Sequence, residues 1–259
     1  MTIAHESRGQ GSPTLVLLHG IGGGRTIWSA SLESLAEAGF TAVAVDLPGY
    51  GGSAAMAPGG VHLMAASVVN LLDALDLPKA VIVGHSMGGM VAQEVAAEHP
   101  RRVAGLVLAC TSPAFGRADG EWQSSFVSER LAPLDAGQGM AGLASRLVPG
   151  MLGPGATDDA AELATRVMAR VPEATYRRVL AAIVAFDRRA ALPAIKAPTL
   201  CLAGEHDTTA PPKVLRGMAE RIPDAEYREI AGAGHIANVE RPRAFDDAVI
   251  DFVRRRCAA

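Results

Sequence analysis

Short, nearly continuous apolar runs recur along this chain and alternate with stretches of helical spacing. Residues 14–18, 41–45, 80–83, 103–109, 199–203 and 226–230 read as strands, because they are short, rich in Val, Ile and Leu, and mostly bounded by Gly, Pro or Asp. A strand that is apolar on both sides of its pleat needs cover on both faces, and a parallel sheet flanked by helices supplies it. Helices are expected over 32–38, 63–75, 87–98, 212–221 and 243–256, with Pro100 stopping the third. The alternation therefore predicts an α/β fold with a mostly parallel central sheet covered by helices. A chain of 259 residues, 49% of them hydrophobic, is enough to fill one large core of this kind.

One stretch breaks the alternation. Residues 112–192 carry helix-like segments and no convincing strand, with Gly and Pro clustered at 148–155. The simplest organisation is a core made of residues 1–111 and 193–259, interrupted by a helical cap over 112–192. Such an insertion must bury its apolar face, and the end of the sheet is the open position for it.

Several classes are disfavoured by composition. The net charge is −3 and Lys and Arg are scattered, the densest basic run being Arg254-Arg255-Arg256 at a helix end where the dipole favours it. No nucleic-acid partner is expected. The three cysteines, Cys110, Cys201 and Cys257, are odd in number and widely spaced, which fits neither a disulfide framework nor a zinc site. No cluster of His, Cys, Asp or Glu has ligand spacing, so neither a metal nor another cofactor is expected. The first ten residues lack the apolar core of a signal peptide, and no run of 18 residues is apolar. The expectation is a cytoplasmic protein with no membrane partner; the oligomeric state is left open.

Gly84-His85-Ser86-Met87-Gly88 follows an expected strand and opens an expected helix. This is the G-x-S-x-G nucleophile elbow. A reactive hydroxyl must stand clear of the sheet on a sharp turn, and the flanking glycines leave room for that turn and for close strand–helix packing. A serine there also sits at a helix N-terminus, whose free N–H groups favour developing negative charge. Such a serine needs a base and an orienting carboxylate, in the chain order Ser, Asp/Glu, His. Asp207 stands in the loop after the 199–203 strand and His235 in a glycine-flanked loop after the 226–230 strand, so they take those roles. Glu205 is the local competitor for the acid. His85 reads as a packing residue beneath the elbow, since neighbours at a sharp turn point apart.

Acyl transfer also needs an oxyanion hole. The backbone N–H of Met87 is one expected donor. The other is assigned to Ile21, in the His19-Gly20-Ile21-Gly22-Gly23-Gly24 loop that follows the first apolar strand, with His19 bracing the loop. Gly20-Ile21-Gly22 with Asp46 at the next strand end imitates a dinucleotide fingerprint, but its third glycine position holds Arg25. A non-catalytic receptor on the same fold is the remaining alternative class, and the complete set of Ser, Asp and His weighs against it. Two residues are candidates for substrate binding. Trp122, early in the insertion, reads either as a pocket wall or as a cap core aromatic. Arg25 is a candidate for a substrate carboxylate, against a solvated loop arginine.

These motifs resemble the α/β-hydrolase family along the whole chain: His19-Gly20, Asp46-Leu47-Pro48-Gly49-Tyr50-Gly51, Gly84-His85-Ser86-Met87-Gly88-Gly89, Gly204-Glu205-His206-Asp207, and His235 with Glu240-Arg241-Pro242. Within that family the chain most resembles the 3-oxoadipate enol-lactonases and related carboxylesterases. Ser86-Met87-Gly88-Gly89-Met90-Val91, the stretch around Trp122, Phe186-Asp187-Arg188 and His235-Ile236-Ala237-Asn238-Val239-Glu240 carry that likeness. The resemblance implies a serine hydrolase acting on a small-molecule ester or lactone. C–C bond hydrolases of the family usually have Asn where this chain has His85 and often Trp where it has Ile236. Cofactor-free haloperoxidases and perhydrolases commonly place an aromatic and a proline in the loop that is glycine-rich here. The Gly22-Gly23-Gly24 run is itself unusual for enol-lactonases.

Overall fold

The computed structural model describes residues 3–55, 59–116 and 121–257. Its centre is a seven-stranded sheet of β1 (His5–Arg8), β2 (Thr14–Leu18), β3 (Thr41–Val45), β4 (Ala80–His85), β5 (Val103–Ala109), β6 (Thr199–Gly204) and β7 (Ala225–Ile230). The order is β1-β3-β2-β4-β5-β6-β7. β1 runs antiparallel to β3, and the other pairings are parallel. Strands β4 and β6 are buried at every position, as the apolar runs 80–83 and 200–203 at their centres require. Helices α1 (Ser29–Glu37), α2 (Val61–Ala74) and α3 (Met87–Glu98) alternate with the first strands. The mostly parallel α/β architecture expected from the alternation is the one the chain adopts.

Both edges depart from the pattern. The N-terminal segment, polar and without periodicity, nevertheless forms β1. It pairs on one side only and stays largely exposed, so it needs no apolar face. β7, at the other edge, is only partly buried rather than covered on both faces. Its Glu226 and Arg228 instead bond to Arg255 and Asp251.

Between β5 and β6 the chain leaves the sheet and forms α4 (Glu121–Asp135), α5 (Gly139–Leu147), α6 (Asp158–Ala169) and α7 (Glu173–Val184). Thr157 caps α6 by accepting the Ala160 N–H at 3.2 Å, and Asp158 and Asp159 complement the dipole in its first turn. The excursion departs and returns through a narrow neck. Ala114 and Asp187 form an isolated antiparallel bridge, flanked by Phe115 N–H to Phe186 O at 3.1 Å and Arg188 N–H to Pro113 O at 2.7 Å. The Arg188 guanidinium then grips Glu94 on both carboxylate oxygens and Glu98 at 2.9 Å, which fastens the neck to α3. The chain returns to the sheet and ends with α8 (Pro212–Ala219), the single turn α9 (Ala237–Glu240) and α10 (Pro242–Arg256). Among the described residues no helix is long and apolar enough to cross a membrane.

Candidate active site

Ser86 lies at the junction of β4 and α3 with φ 54° and ψ −118°. A positive φ is costly for a residue with a Cβ, so the surroundings must impose it. They do so through the backbone: Ser86 N–H donates to Ala109 O at 2.9 Å, and its carbonyl accepts the Thr111 hydroxyl at 2.7 Å. The motif glycines are required by close approach. A Cβ on Gly84 would run into the backbone of Gly88, and one on Gly88 into the carbonyl of Leu18.

The structure brings His235 and Asp207 to this serine. His235 Nε2 lies 2.9 Å from Ser86 Oγ, and His235 Nδ1 lies 2.8 Å from Asp207 Oδ2. The other Asp207 oxygen accepts the N–H groups of Thr209 and Ala210 at 2.8 and 2.9 Å. Burial pushes the Asp207 carboxyl upward. The neighbouring His235 and the two backbone N–H donors outweigh it and hold the group below its ordinary range. Glu205 is half exposed and spends a carboxylate oxygen on Gly232 N–H at 2.8 Å, so it is not positioned as a partner of His235.

The loop after β2 is set by a neutral histidine. His19 is fully buried; its Nδ1–H donates to Gly20 O at 2.8 Å and its Nε2 accepts Leu47 N–H at 3.0 Å. Burial lowers its pKa to about 4, so it stays in this tautomer at neutral pH. The Gly20 carbonyl also accepts Gly23 N–H at 2.9 Å. Because the peptide is trans and planar, fixing that carbonyl turns the Ile21 N–H to the opposite side. Tyr50 Oη donates to Ile21 O at 3.0 Å and holds the next peptide too. Met87 opens α3, so its N–H has no intrahelical partner. Ile21 and Met87 both line the cavity beside Ser86. The glycine run provides room: a Cβ on Gly22 would sit 3.2 Å from Met168 of α6, which packs down on this loop.

Arg25 does not join this site, and its candidacy for a substrate carboxylate is corrected by its surroundings. Its backbone N–H donates to Asp46 Oδ1 at 2.8 Å and its guanidinium pairs with Asp46 Oδ2. The pair borders a separate recess lined by Gly51, Gly52 and Val167. Asp46, nearly inaccessible, also accepts Gly52 N–H at 3.1 Å. The acid that imitated a ribose ligand in the sequence is thus committed to its own loops.

Two further residues hold the His235 loop, and sequence reasoning read neither role. His85 packs beneath the elbow as expected, but its Nε2 also donates to His235 O at 2.6 Å, and burial lowers its pKa to about 3. Glu240 is buried and gathers three backbone N–H groups: Gly153 at 2.6 Å, Gly234 at 2.9 Å and Ile236 at 2.9 Å. With His235 N–H donating to Met151 O at 2.7 Å, the segment between α5 and α6 is sewn to the loop that carries His235. The carboxylate five residues after the histidine was the available signal.

Above Ser86 and His235 lies a cavity of about 420 Å³, floored by the core and walled by the helical excursion. A smaller lobe of about 40 Å³ opens from the same serine toward Ile27, His85 and Ile236. Trp122 lines the large cavity and is 49% exposed, in ring contact with Phe115 and Phe126. It is therefore not a buried core aromatic of the excursion. Arg130, on the same helix, also lines the cavity and was missed. Trp122, Phe126 and Arg130 are spaced i, i+4, i+8, which puts them on one face of α4.

A family model described as the alpha/beta hydrolase fold matches residues 13–242. The chain belongs to the α/β-hydrolase fold family. Among curated relatives, this α/β-hydrolase is 34% identical to RutD of Variovorax paradoxus (strain S110), named for carbamate hydrolysis, over 98% of this chain and 97% of that one. It is 33% identical to the pimeloyl-[acyl-carrier protein] methyl ester esterase of Vibrio parahaemolyticus serotype O3:K6 (strain RIMD 2210633), over 96% and 97% of the two chains. Among solved structures, the enol-lactonase from Burkholderia xenovorans LB400 superposes with a TM-score of 0.84 at 28% identity, covering 97% of this chain and 96% of that one. These relatives are named for hydrolysis of a carbamate, an ester and an enol-lactone, and hydrolase is the description common to the names and to the family.

Proposed function

We propose that this protein hydrolyses carboxylic esters or lactones by two-step acyl transfer on Ser86. The observation that carries the reading is the unbroken hydrogen-bonded line from Asp207 through His235 to Ser86, ending at the floor of a cavity. His235 takes the proton of Ser86 as its oxygen attacks the carbonyl, and Asp207 orients the imidazole and stabilises the imidazolium. The Ile21 and Met87 N–H groups receive the oxyanion. His235 then protonates the departing alcohol oxygen. Water, deprotonated by the same histidine, releases the acid and restores the serine. Residues 112–192 act as a cap that shapes the acyl and alcohol pockets without contributing to this proton path.

The test is pre-steady-state hydrolysis of p-nitrophenyl acetate. A burst of nitrophenol equivalent to the enzyme concentration, with acetyl recovered on Ser86, is expected. Turnover without any acyl-Ser86 intermediate, or no turnover of any ester or lactone, would remove the reading.

The half-exposed Trp122 gives a prediction about the cap. Trp122→Ala should raise KM and shift preference toward bulkier acyl groups, with a thermal midpoint close to that of the parent. Loss of a buried tryptophan would instead cost about 3–5 kcal/mol. Relative kcat/KM for a short and a long ester, measured with the thermal midpoint of the same variant, decides between them.

A further inference from the structure

The cavity over Ser86 has a charge the chain as a whole does not share. The protein is net negative at −3, yet the described residues lining this cavity include Arg130, Arg189 and Lys213 and no Asp or Glu. Two of these cations belong to the surface. Arg189 is already gripped by Asp187, and Lys213 is exposed.

Arg130 is different. It is only 8% exposed as a residue, and it lines the cavity. Its partners among the described residues are neutral: Nη1 donates to Phe126 O at 3.2 Å, the Tyr176 hydroxyl is a neighbour, and the guanidinium carbon lies 3.3 Å from the centre of the Phe126 ring. No described carboxylate hydrogen-bonds or ion-pairs with it. A buried charge without a counter-charge is strongly disfavoured, and a guanidinium does not escape by losing its proton. Burial does pull its pKa below the ordinary value, with Tyr176 and Glu129 opposing. The stacking on Phe126 and the bond to its carbonyl orient the planar fork, and donors remain for a bidentate acceptor.

The small lobe beside Ser86, about 40 Å³, has room for a small alcohol. A longer acyl chain then runs through the larger cavity that Arg130 lines. We propose that Arg130 is the anion subsite of this cavity, and that the substrates are esters or lactones whose acyl part carries a second, free carboxylate. This rests on the Ser86 hydrolase reading. Water divides across the acyl–oxygen bond, the product is a dicarboxylate with the released alcohol (or a hydroxy-dicarboxylate from a lactone), and the carboxylate at Arg130 passes through unchanged.

Monomethyl adipate and methyl hexanoate have the same acyl length and differ by that terminal carboxylate. Proton release in a pH-stat should give the wild-type enzyme a kcat/KM about 10- to 100-fold higher for the half-ester, the range of a charge-assisted bond. In Arg130→Met that ratio should fall toward one, chiefly through KM of the half-ester, and Arg130→Lys should retain part of it. Adipate should compete against p-nitrophenyl acetate in the wild-type enzyme while 1,6-hexanediol does not, which tests the subsite even if the variants fold poorly. Equal turnover of the two methyl esters, a ratio unchanged in folded Arg130→Met, or adipate no better than the diol would overturn the proposal. The failures separate cleanly. Methyl hexanoate or p-nitrophenyl acetate turned over through acyl-Ser86 without any preference for the anion leaves the hydrolase reading standing. Absence of acyl-Ser86 with every ester removes both.

Discussion

Ser86→Ala should lower kcat for any ester the enzyme accepts by about 10³-fold or more, with the fold intact. The turn depends on backbone bonds that alanine keeps, Ser86 N–H to Ala109 O and Thr111 Oγ1–H to Ser86 O, and on the flanking glycines. What disappears is the hydroxyl 2.9 Å from His235 Nε2, and with it the covalent step. Residual rate above water comes from the oxyanion donors and from binding, which the substitution leaves in place. Steady-state kinetics on p-nitrophenyl acetate, with circular dichroism and thermal midpoint as the folding control, make the measurement. A folded variant retaining the parent rate would show that the elbow serine is not the nucleophile.

Asp207→Asn carries the second large effect, on the order of 10⁴-fold in kcat by analogy with the same exchange in a well-studied serine protease. Asparagine can keep one acceptor for Thr209 and Ala210, and so need not disturb the loop. Its amide nitrogen, turned toward His235, reverses the hydrogen bond. The imidazole then carries its proton on Nε2 and has no lone pair to offer Ser86. Glu205→Gln is the control: its amide oxygen can still accept Gly232 N–H, and activity should change little. Paired kcat/KM values decide the assignment. A large loss in Glu205→Gln with Asp207→Asn near normal would transfer the acid role to Glu205.

What could be read from the sequence, and what could not, follows from how local each signal is. The inner strands announce themselves because burial on both faces forces unbroken apolar runs. The elbow is legible because its glycine spacing around Ser86 is local, although only the clash at Gly84 arises within a few residues and the one at Gly88 comes from Leu18 on the neighbouring strand. Asp207 and His235 are findable because each follows a strand in a fixed order. β1 is invisible because an edge strand can be polar throughout. The placement of Arg25 depends on Asp46, 21 residues away, and no local pattern reveals that pairing. Glu240 and the neck at Ala114 and Asp187 act across the fold, on Gly153 and between the two ends of the helical excursion. Arg130 was within reach of helical periodicity, since it repeats the face of Trp122 and Phe126, but that no described carboxylate pairs with it is a three-dimensional fact.

The stitching of Glu240 and His235 to residues 151–153 divides the excursion into two zones of unequal mutational tolerance. Near Gly153 the carboxylate and backbone bonds run straight to the loop that carries His235, and a Cβ on Gly153 would strike the backbone of 232–234. A substitution there moves His235, whatever it does to the cavity. No described residue of α4 hydrogen-bonds to the His235 loop, and Trp122, Phe126 and Arg130 line the cavity from this helix. Random libraries confined to α4 should therefore yield many folded variants with altered selectivity, whereas libraries over 151–155 should yield mostly dead ones. Lineages diverging from this scaffold would be expected to carry their variation on the first side and their invariance on the second.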